Sequence, residues 1–431
     1  MNEAHGERLL REVREENLAE LLHTVHHLHA VPPTSPQYAP LGIKPLDDIL
    51  RVFHPSPPHA SITSASPYAT EAAAATHIPR QPVLEITSPS SADGKSHLLY
   101  YITALAILPD TYHNIILRGR NSAIVFLDTD CRFDAVRLRE VTRGIVLERA
   151  VEQGILLPAA GSNSGHGNED EDLNKMLHTA LSHVHVFRPQ SSASLLATIR
   201  SIEPYLLHGT AEGHNKHESH YRPLHAILLD SASAFYWQDR HEMEVLSIPG
   251  VREERARARA PNDNDNDTPP SQLPHQIIHA LRALQHTFSC PLIFTTWGLL
   301  RATPHASSRR HISHAPATTP LYKPHRPSFR PHLPRPWPSF PTCRIIVQRD
   351  VVRPFAPFLT MDEVKGEARE RQAVVRRGRV VGWVDGNGNG LGWERERERE
   401  REREVLVERV FGFSLTGGGG VRWIDEDVDE G

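Results

Sequence analysis

Six short apolar runs, most of them separated by segments with helical periodicity, constrain the fold of this chain more than any other feature. The runs are rich in β-branched and aliphatic residues and lie at 82–87, 122–128, 183–187, 225–230, 291–296 and 343–347. Helical candidates lie between them at 96–108, 134–153, 190–207 and 275–288. Continuously apolar strands that alternate with helices are typical of a mostly parallel sheet with both faces covered. The sequence therefore predicts an α/β fold with a twisted parallel sheet and helices on both faces.

Composition limits the size of this core. The chain has 431 residues, but only 39% are hydrophobic and 35 are prolines, which predicts one globular core of roughly 220–250 residues enlarged by disordered insertions. We predict an N-terminal helix and a Pro/Ser-rich linker over 1–79, the core over 80–350 and a C-terminal extension over 351–431. Insertions are predicted at about 158–180, 208–222, 252–274 and 302–338, and the extension carries a Glu-Arg repeat at 394–404 and an acidic tail.

Charge, cysteine usage and hydropathy restrict the class of protein. The formal net charge is −4, so any nucleic-acid binding depends on a local patch. The three cysteines are scattered without paired spacing, which suits a reducing compartment such as the cytosol or nucleus. The longest apolar run, 98–108, is too short to span a membrane, and the charged N-terminus has no signal-peptide pattern.

The segment SPSSADGKS at 88–96 connects the first predicted strand to the helix after it. A phosphate-binding loop needs a strand, a turn of inward-pointing N–H groups and a helix start with Lys and Ser or Thr. Gly94, Lys95 and Ser96 supply that ending. The sequence therefore predicts a phosphate loop here, and the alternative is an ordinary helix start.

The same segment departs from the phosphate-loop pattern in three ways. Pro89 stands at the first glycine position, and no glycine occupies 90–93, although such loops visit backbone angles that a Cβ atom disfavours. Asp93 adds a carboxylate near the expected phosphate oxygens; this repulsion reaches about 4 kcal/mol at contact distance. These departures predict weakened ATP binding.

Two further strand ends carry carboxylates. LHAILLD ends at Asp230, and in P-loop enzymes an aspartate at such a strand end contacts Mg²⁺ through the coordination shell. The run IVFLDTD brings Asp130 to the same edge of the sheet, where ligands of open α/β folds bind. Asp130 is the candidate for positioning an attacking water. The alternative is a capping role at the helix that starts near Asp134.

The predicted insertion at about 302–338 follows the fifth predicted strand and is rich in basic residues; we call it the basic segment. From Thr268 through Arg349 the chain has ten Lys and Arg residues and no Asp or Glu. The candidate DNA contacts are Arg309, Arg310, Lys323, Arg326 and Arg330, with aromatic residues interleaved. Cations that bind phosphates and rings that stack on bases suit single-stranded nucleic acid. The alternative is a Pro-rich insertion that lacks acidic residues.

Histidine is abundant, with 28 in the chain. Two groups are close in sequence: His23, His26 and His27, and His214, His217 and His220. Neither group has cysteine or carboxylate partners at metal-site spacing, so neither predicts a metal centre. The metal that the sequence does suggest is Mg²⁺ bound together with a nucleotide at Ser96 and Asp230.

The order of these segments resembles that of the RecA-like recombinase paralogues of eukaryotes. LGIKPLDDIL is followed by VLEI, GKSHLLYYITALAILP, VFLDTDCRFDAVRL, LLDSASAFYWQDR, LIFTTWGLL and FRPHLPRPWPSFPTCRIIVQR. The LDTD and FYWQDR segments are the most diagnostic. The resemblance covers about residues 40–350 between the insertions, whereas the N-terminal helix and the C-terminal third match poorly.

The resemblance implies a RecA-type P-loop NTPase core and a role in homologous-recombination repair of DNA double-strand breaks. Such proteins work in the nucleus with other recombinase paralogues, the D-type member in particular. They assist the strand-exchange filament on single-stranded or branched DNA. The resemblance implies no membrane partner, and it makes ATP and Mg²⁺ the expected cofactors, both weakly bound.

The site residues of the family fall on named positions of this chain. Lys95 and Ser96 match the phosphate-loop lysine and hydroxyl, and Asp230 matches the magnesium aspartate. Asp130 matches the water-orienting glutamate but is shorter by one methylene, about one 1.5 Å bond. Trp297 stands where the family has an amide that senses the γ-phosphate. These departures predict weak or absent hydrolysis; the alternatives are an active DNA-dependent ATPase and a RecA-like NTPase outside recombination.

Overall fold

The structure is a computed structural model of the chain. It describes residues 39–53, 81–155, 167–208, 217–251, 271–300, 329–330, 332–350, 355, 358–385, 410–416 and 420–424. The predicted helix at 5–29, the Glu-Arg repeat and the acidic tail lie outside the described residues.

All six predicted strands are present in one sheet. They are β1 (Val83–Ser88), β4 (Ala123–Asp128), β5 (Val184–Phe187), β6 (Leu224–Asp230), β7 (Leu292–Trp297) and β10 (Cys343–Arg349). Their spatial order is β10-β1-β7-β6-β4-β5, and each neighbouring pair is parallel. The predicted mostly parallel α/β sheet is therefore confirmed. Two separate two-stranded antiparallel sheets, β2 (Thr111–Tyr112) with β3 (Ile115–Ile116) and β8 (Leu299–Leu300) with β9 (Phe329–Arg330), lie outside this sheet.

The helices cover the sheet on both sides, as the apolar runs predicted. They are α1 (Lys44–Phe53), α2 (Lys95–Ile107), α3 (Ala135–Glu152), α4 (Gly167–Leu181), α5 (Ser192–His208), α6 (Tyr236–Leu246), α7 (Leu273–Phe288) and α8 (Met361–Arg377). Side chains of α1 to α4 share one core with one face of the sheet, and α5 and α7 share a second core with the other. Within β4, Ile124 and Phe126 belong to the first core, and Val125 and Leu127 to the second.

One predicted insertion contains an ordered helix. The segment 158–180 was expected to lack structure, but α4 occupies its second half, and Leu173, Leu177 and Ala180 are buried against α3 and the sheet. Most residues of α4 are polar, but these three apolar residues at helical spacing are enough to anchor the helix. Most of the other predicted insertions lie outside the described residues, at 209–216, 252–270, 301–328 and 331.

The C-terminal extension continues the sheet of the core. Strands β11 (Arg379–Val384), β12 (Val410–Leu415) and β13 (Val421–Ile424) add to β10 in antiparallel order, which gives nine strands in all. Val380, Phe413 and Val421 are buried in the same core as α2. The boundary placed at residue 350 therefore divides segments that share one sheet. No helix among the described residues is long and apolar enough to cross a membrane.

Histidines form a buried group at the β5 edge of the sheet. His185 Nδ1 lies 3.0 Å from Tyr205 Oη and its Nε2 lies 2.8 Å from Ser219 Oγ, while His183 Nδ1 lies 2.9 Å from the same hydroxyl. The ring of His217 stacks on Tyr205. Among the described residues, no group of three or more His, Cys, Asp or Glu side chains could hold a metal ion. His23, His26, His27 and His214 lie outside the described residues.

This histidine group predicts acid sensitivity. Burial, together with the neighbouring His217 and His183, lowers the pKa of His185 from 6.5 to about 4. The unfolded chain binds this proton more tightly than the folded chain, so neutral His185 contributes stability above pH 6.5 that is lost as the pH falls towards 4. We expect a loss of about 2 kcal/mol over this pH range, measured as the free energy of unfolding in urea from pH 7.5 to 4.5.

The matched variants are His185→Gln, which cannot titrate, and His178→Gln on the exposed face of α4. We expect His185→Gln to flatten the pH profile and His178→Gln to leave it unchanged. Equal slopes in wild type and His185→Gln would mean that the His185 group does not carry this acid sensitivity.

Candidate nucleotide site and the neck of the basic segment

The loop between β1 and α2 has the strand-turn-helix form of a phosphate loop. Gly94 precedes the helix with φ 91°, in the left-handed region that favours glycine, and α2 begins at Lys95. A Cβ atom on Gly94 would lie 3.4 Å from the side chain of Val380 and 3.8 Å from that of Phe413. The C-terminal strands therefore pack beside the loop.

Lys95 is held inside this loop. Its Nζ donates to Ser88 Oγ and, at 3.3 Å, to the carbonyl oxygen of Ser90. Burial lowers the pKa of Lys95 from its usual value, against the opposing effect of nearby carboxylates, of which Asp93 is the strongest and Asp230 the next. The lysine is thus close to the site but engaged by the loop itself.

Asp93 faces the loop backbone. It is buried, its Oδ2 accepts a hydrogen bond of 2.8 Å from the backbone N–H of Ser90, and its Oδ1 accepts one of 3.2 Å from that of Arg349. The sequence placed this carboxylate among the phosphate oxygens; the structure shows instead that it satisfies donors of its own loop. A short acidic side chain commonly bonds to a nearby backbone N–H in a turn, and no glycine at 90–93 opens this turn.

The structure brings Ser96 and Asp230 together. Ser96 Oγ donates to Asp230 Oδ2 at 2.6 Å, and Thr295 Oγ1 donates to Asp230 Oδ1. Only β7 separates the strand before Ser96 from the strand that ends at Asp230. A hydroxyl and a carboxylate are oxygen ligands of the kind that Mg²⁺ prefers, so these two groups fit a nucleotide-bound Mg²⁺. The loop fits phosphate less well, because Asp93 already takes the N–H of Ser90.

Asp130 lies beside Asp230. Its backbone N–H donates to the carbonyl oxygen of Asp230 at 3.3 Å, and its side chain lies 3.5 Å from Ser231 Oγ. Burial raises the pKa of Asp130, and the charge of Asp230 raises it further. The capping role belongs to Asp134, which accepts from the N–H groups of the first turn of α3.

Asp128 has a structural role. Its carboxylate accepts from the backbone N–H groups of Arg132 and Phe133 at 2.9 and 3.0 Å and pairs with Arg188 at 3.0 Å. The sequence prediction also missed Ser88 and Thr295. Both are hydroxyl residues in the C-terminal halves of mainly apolar strands, and this is the signal that marks them.

Gly298, β8 and β9 form what we call the neck; β8 and β9 flank residues 301–328 of the basic segment, which lie outside the described residues. The backbone N–H of Gly298 donates to the carbonyl oxygen of Ser88 at 2.9 Å, and β8 pairs with β9 in antiparallel register. Arg330 is the second residue of β9. The other predicted DNA contacts, Arg309, Arg310, Lys323 and Arg326, lie outside the described residues. The neck therefore contacts Ser88, the residue whose hydroxyl accepts a hydrogen bond from Lys95.

Comparisons with known proteins identify relatives of this chain. No protein-family profile matches it. The DNA repair protein XRCC2 homolog of Arabidopsis thaliana is 24% identical over 290 residues, and the match covers 62% of this chain and 68% of that protein. The DNA repair protein XRCC2 of Mus musculus is 31% identical over 148 residues, 34% of this chain and 38% of that protein. The chain therefore spans about two thirds of the plant relative and little more than a third of the mouse relative.

The close packing around Gly298 predicts that only glycine is tolerated at this position. A Cβ atom there would lie 2.3 Å from the ring of Phe329 and 2.5 Å from the carbonyl oxygen of Ser88, both closer than van der Waals contact. We expect Gly298→Ala to destabilise the fold by about 1–3 kcal/mol, the usual cost of overpacking. The measurement is the free energy of unfolding in urea.

Gly366→Ala is the matched control, because nothing lies within 4 Å of the added methyl group in the exposed middle of α8. We expect this control to raise stability by about 0.5–1 kcal/mol through helix propensity. If Gly298→Ala unfolds at the same urea concentration as wild type, the close approach of the neck to Ser88 is wrong.

Proposed function

Because the chain resembles XRCC2-type RecA-like recombinase paralogues, we propose that it is a DNA repair protein of the recombination pathway. The resemblance predicted from the sequence is confirmed, and the mostly parallel sheet has the α/β architecture of a RecA-like core. The proposed role is in homologous-recombination repair of DNA double-strand breaks in the nucleus. There the chain acts with other recombinase paralogues, the D-type member among them, to assist the strand-exchange filament on single-stranded DNA.

We further propose that its ATP site is degenerate. The observation that carries this proposal is the closure of the phosphate loop on itself: Asp93 takes the N–H of Ser90, and Lys95 donates to Ser88 and Ser90. An arriving phosphate has to displace these bonds, and a hydrogen bond to a charged group contributes about 1.5–3 kcal/mol. The negative charge of Asp93 also repels an arriving phosphate.

Hydrolysis is further weakened at two positions. The carboxyl group of Asp130 is one methylene short of the family's water-orienting glutamate, and its polar side-chain neighbour is Ser231. Trp297 replaces an amide, and an indole N–H can donate a hydrogen bond but has no oxygen to accept one. Phosphoryl transfer depends on positioning and electrostatics, so such displacements are costly. The competing function, a DNA-stimulated ATPase, is favoured by one observation, the intact pairing of Ser96 with Asp230.

Nucleotide affinity tests the degenerate site. We expect wild type to bind labelled MgATP weakly and Asp93→Asn to bind it about tenfold more tightly, because the substitution removes a negative charge and frees a backbone donor. Lys95→Ala should bind less than wild type. Asp110→Asn removes an exposed carboxylate beyond the other end of α2 and should not change affinity.

Phosphate release in the presence of single-stranded DNA, measured on the same proteins, separates the two functions. We expect no DNA-stimulated release from wild type or Asp93→Asn. Micromolar, Lys95-dependent affinity of wild type together with DNA-stimulated release would instead establish the active ATPase.

Affinity isolation of the tagged chain from cells tests the assembly role. We expect other recombinase paralogues to be isolated with wild type and, in similar yield, with Lys95→Ala, because a degenerate nucleotide site is not needed to hold the sheet together. Phe126→Asp places a charge at a fully buried core position and serves as the unfolded control. A wild-type isolate without any recombinase paralogue would contradict the proposal.

A further inference from the structure

The end of strand β10 lies beside the loop at 88–96. Arg349 is the last residue of β10, and its backbone N–H donates to Asp93 Oδ1 at 3.2 Å. In the antiparallel pairing of β10 with β11, Arg349 is opposite Val380. Val380 is the residue that a Cβ atom on Gly94 would meet at 3.4 Å. Arg349 is therefore next to the loop in two ways, through its own backbone and through its cross-strand neighbour.

The side chain of Arg349 lies on the face of the sheet that carries the loop. Successive side chains of a strand point to opposite faces, and Cys343, Ile345 and Val347 of β10 are buried in the core that contains α2. Arg349 continues this series. Directly opposed residues of antiparallel strands also share a face, and Val380 belongs to the same core. The guanidinium group is thus on the side of the loop, not on the side of α5 and α7.

This guanidinium group is available to a ligand. Arg349 is exposed, and within the described part of the chain no carboxylate pairs with its side chain, because the bond to Asp93 uses the backbone. Lys95, by contrast, donates to Ser88 and to Ser90. Arg349 therefore places a positive charge beside the loop that the loop itself does not engage.

A nucleotide at this loop needs a further cation. The carboxyl groups of Asp93, Asp230 and Asp130 all act electrostatically on Lys95, so the lysine alone does not balance the negative charge at the site. Backbone donors are also few, because Asp93 takes the N–H of Ser90. A guanidinium group presents its N–H donors in a planar fork that matches the oxygens of a phosphate.

We infer that Arg349 binds the phosphates of a nucleoside triphosphate at this loop and supplies positive charge that the self-bonded loop lacks. The inference rests on the proposed function, which keeps a weak nucleotide site in this chain. Release of Asp93 from the backbone of Arg349 also frees an N–H donor next to the same guanidinium. The affinity for nucleotide therefore depends on Asp93 and Arg349 together.

A double-mutant comparison with labelled MgATP tests this inference. Asp93→Asn is the background, because it is expected to bind more tightly than wild type. We expect Arg349→Ala to lower the affinity of this background about fivefold and Arg349→Lys about twofold, since lysine keeps the charge but loses the fork. Arg200→Ala removes an exposed arginine of α5 on the other side of the sheet. It is the matched control and should not change the affinity.

Two further readouts identify phosphate as the group that Arg349 contacts. Inorganic tripolyphosphate should compete with labelled MgATP for Asp93→Asn, and Arg349→Ala should weaken that competition by a similar factor. The difference in affinity between Asp93→Asn and the double variant should shrink at high salt, because exposed charges are screened. Unchanged urea midpoints show that the variants are folded.

The outcomes separate this inference from the proposed function. Equal MgATP affinity of Asp93→Asn with and without Arg349→Ala would overturn the role of Arg349 and leave the degenerate site in place. A lack of MgATP binding by both wild type and Asp93→Asn would also overturn it and leave the DNA repair role in place. DNA-stimulated phosphate release by wild type would contradict the degenerate site, whereas a fivefold loss on Arg349→Ala would still support the role of Arg349.

Discussion

The order of three central strands determines where the described groups of the candidate site lie. Strand β7 lies between β1 and β6 in parallel register, so that Ser88 is opposite Trp297 and Leu229 is opposite Phe294. Parallel strands end at the same edge, which is where ligands of open α/β sheets bind. The loop at 88–96, Asp230 and the neck of the basic segment are neighbours for this reason. Their proximity depends on burial of the strands on both faces, not on contacts within the site.

The same burial explains how much of the fold the sequence predicts. All six parallel strands and four helices are found within about two residues of their predicted positions, because continuously apolar runs have few alternatives to burial. Strands β11 and β12 carry no such signal, since each contains a glycine. Gly382 has its own packing reason: a Cβ there would lie 2.2 Å from the ring of Phe411. Such a contact between strands distant in sequence cannot be read from local periodicity.

The sequence predicts which residues form the candidate site but not which hydrogen bonds they make with one another. The order of motifs identifies Lys95, Ser96 and Asp230, since strand ends of one parallel sheet must converge. Whether Asp93 turns towards a phosphate or towards its own loop depends on a choice between competing hydrogen-bond partners within a few ångströms. The structure settles that choice through the N–H of Arg349, a residue that the sequence places far away but β10 brings beside the loop. Local sequence does not contain this second donor.

Ser88 joins the two halves of the site. Its hydroxyl accepts from Lys95, and its carbonyl oxygen accepts from Gly298 at the start of the neck. The loop and the neck therefore share Ser88 as a hydrogen-bond partner. On the opposite side, Ser233 links the strand that ends at Asp230 to both Trp297 and His332. Ser88 bonds to Lys95 and Gly298, and Ser233 bonds to Trp297 and His332. Together these hydrogen bonds hold the neck in one position. The proposed weak ATP turnover and the proposed nucleic-acid contact are thus both compatible with the same hydrogen bonds.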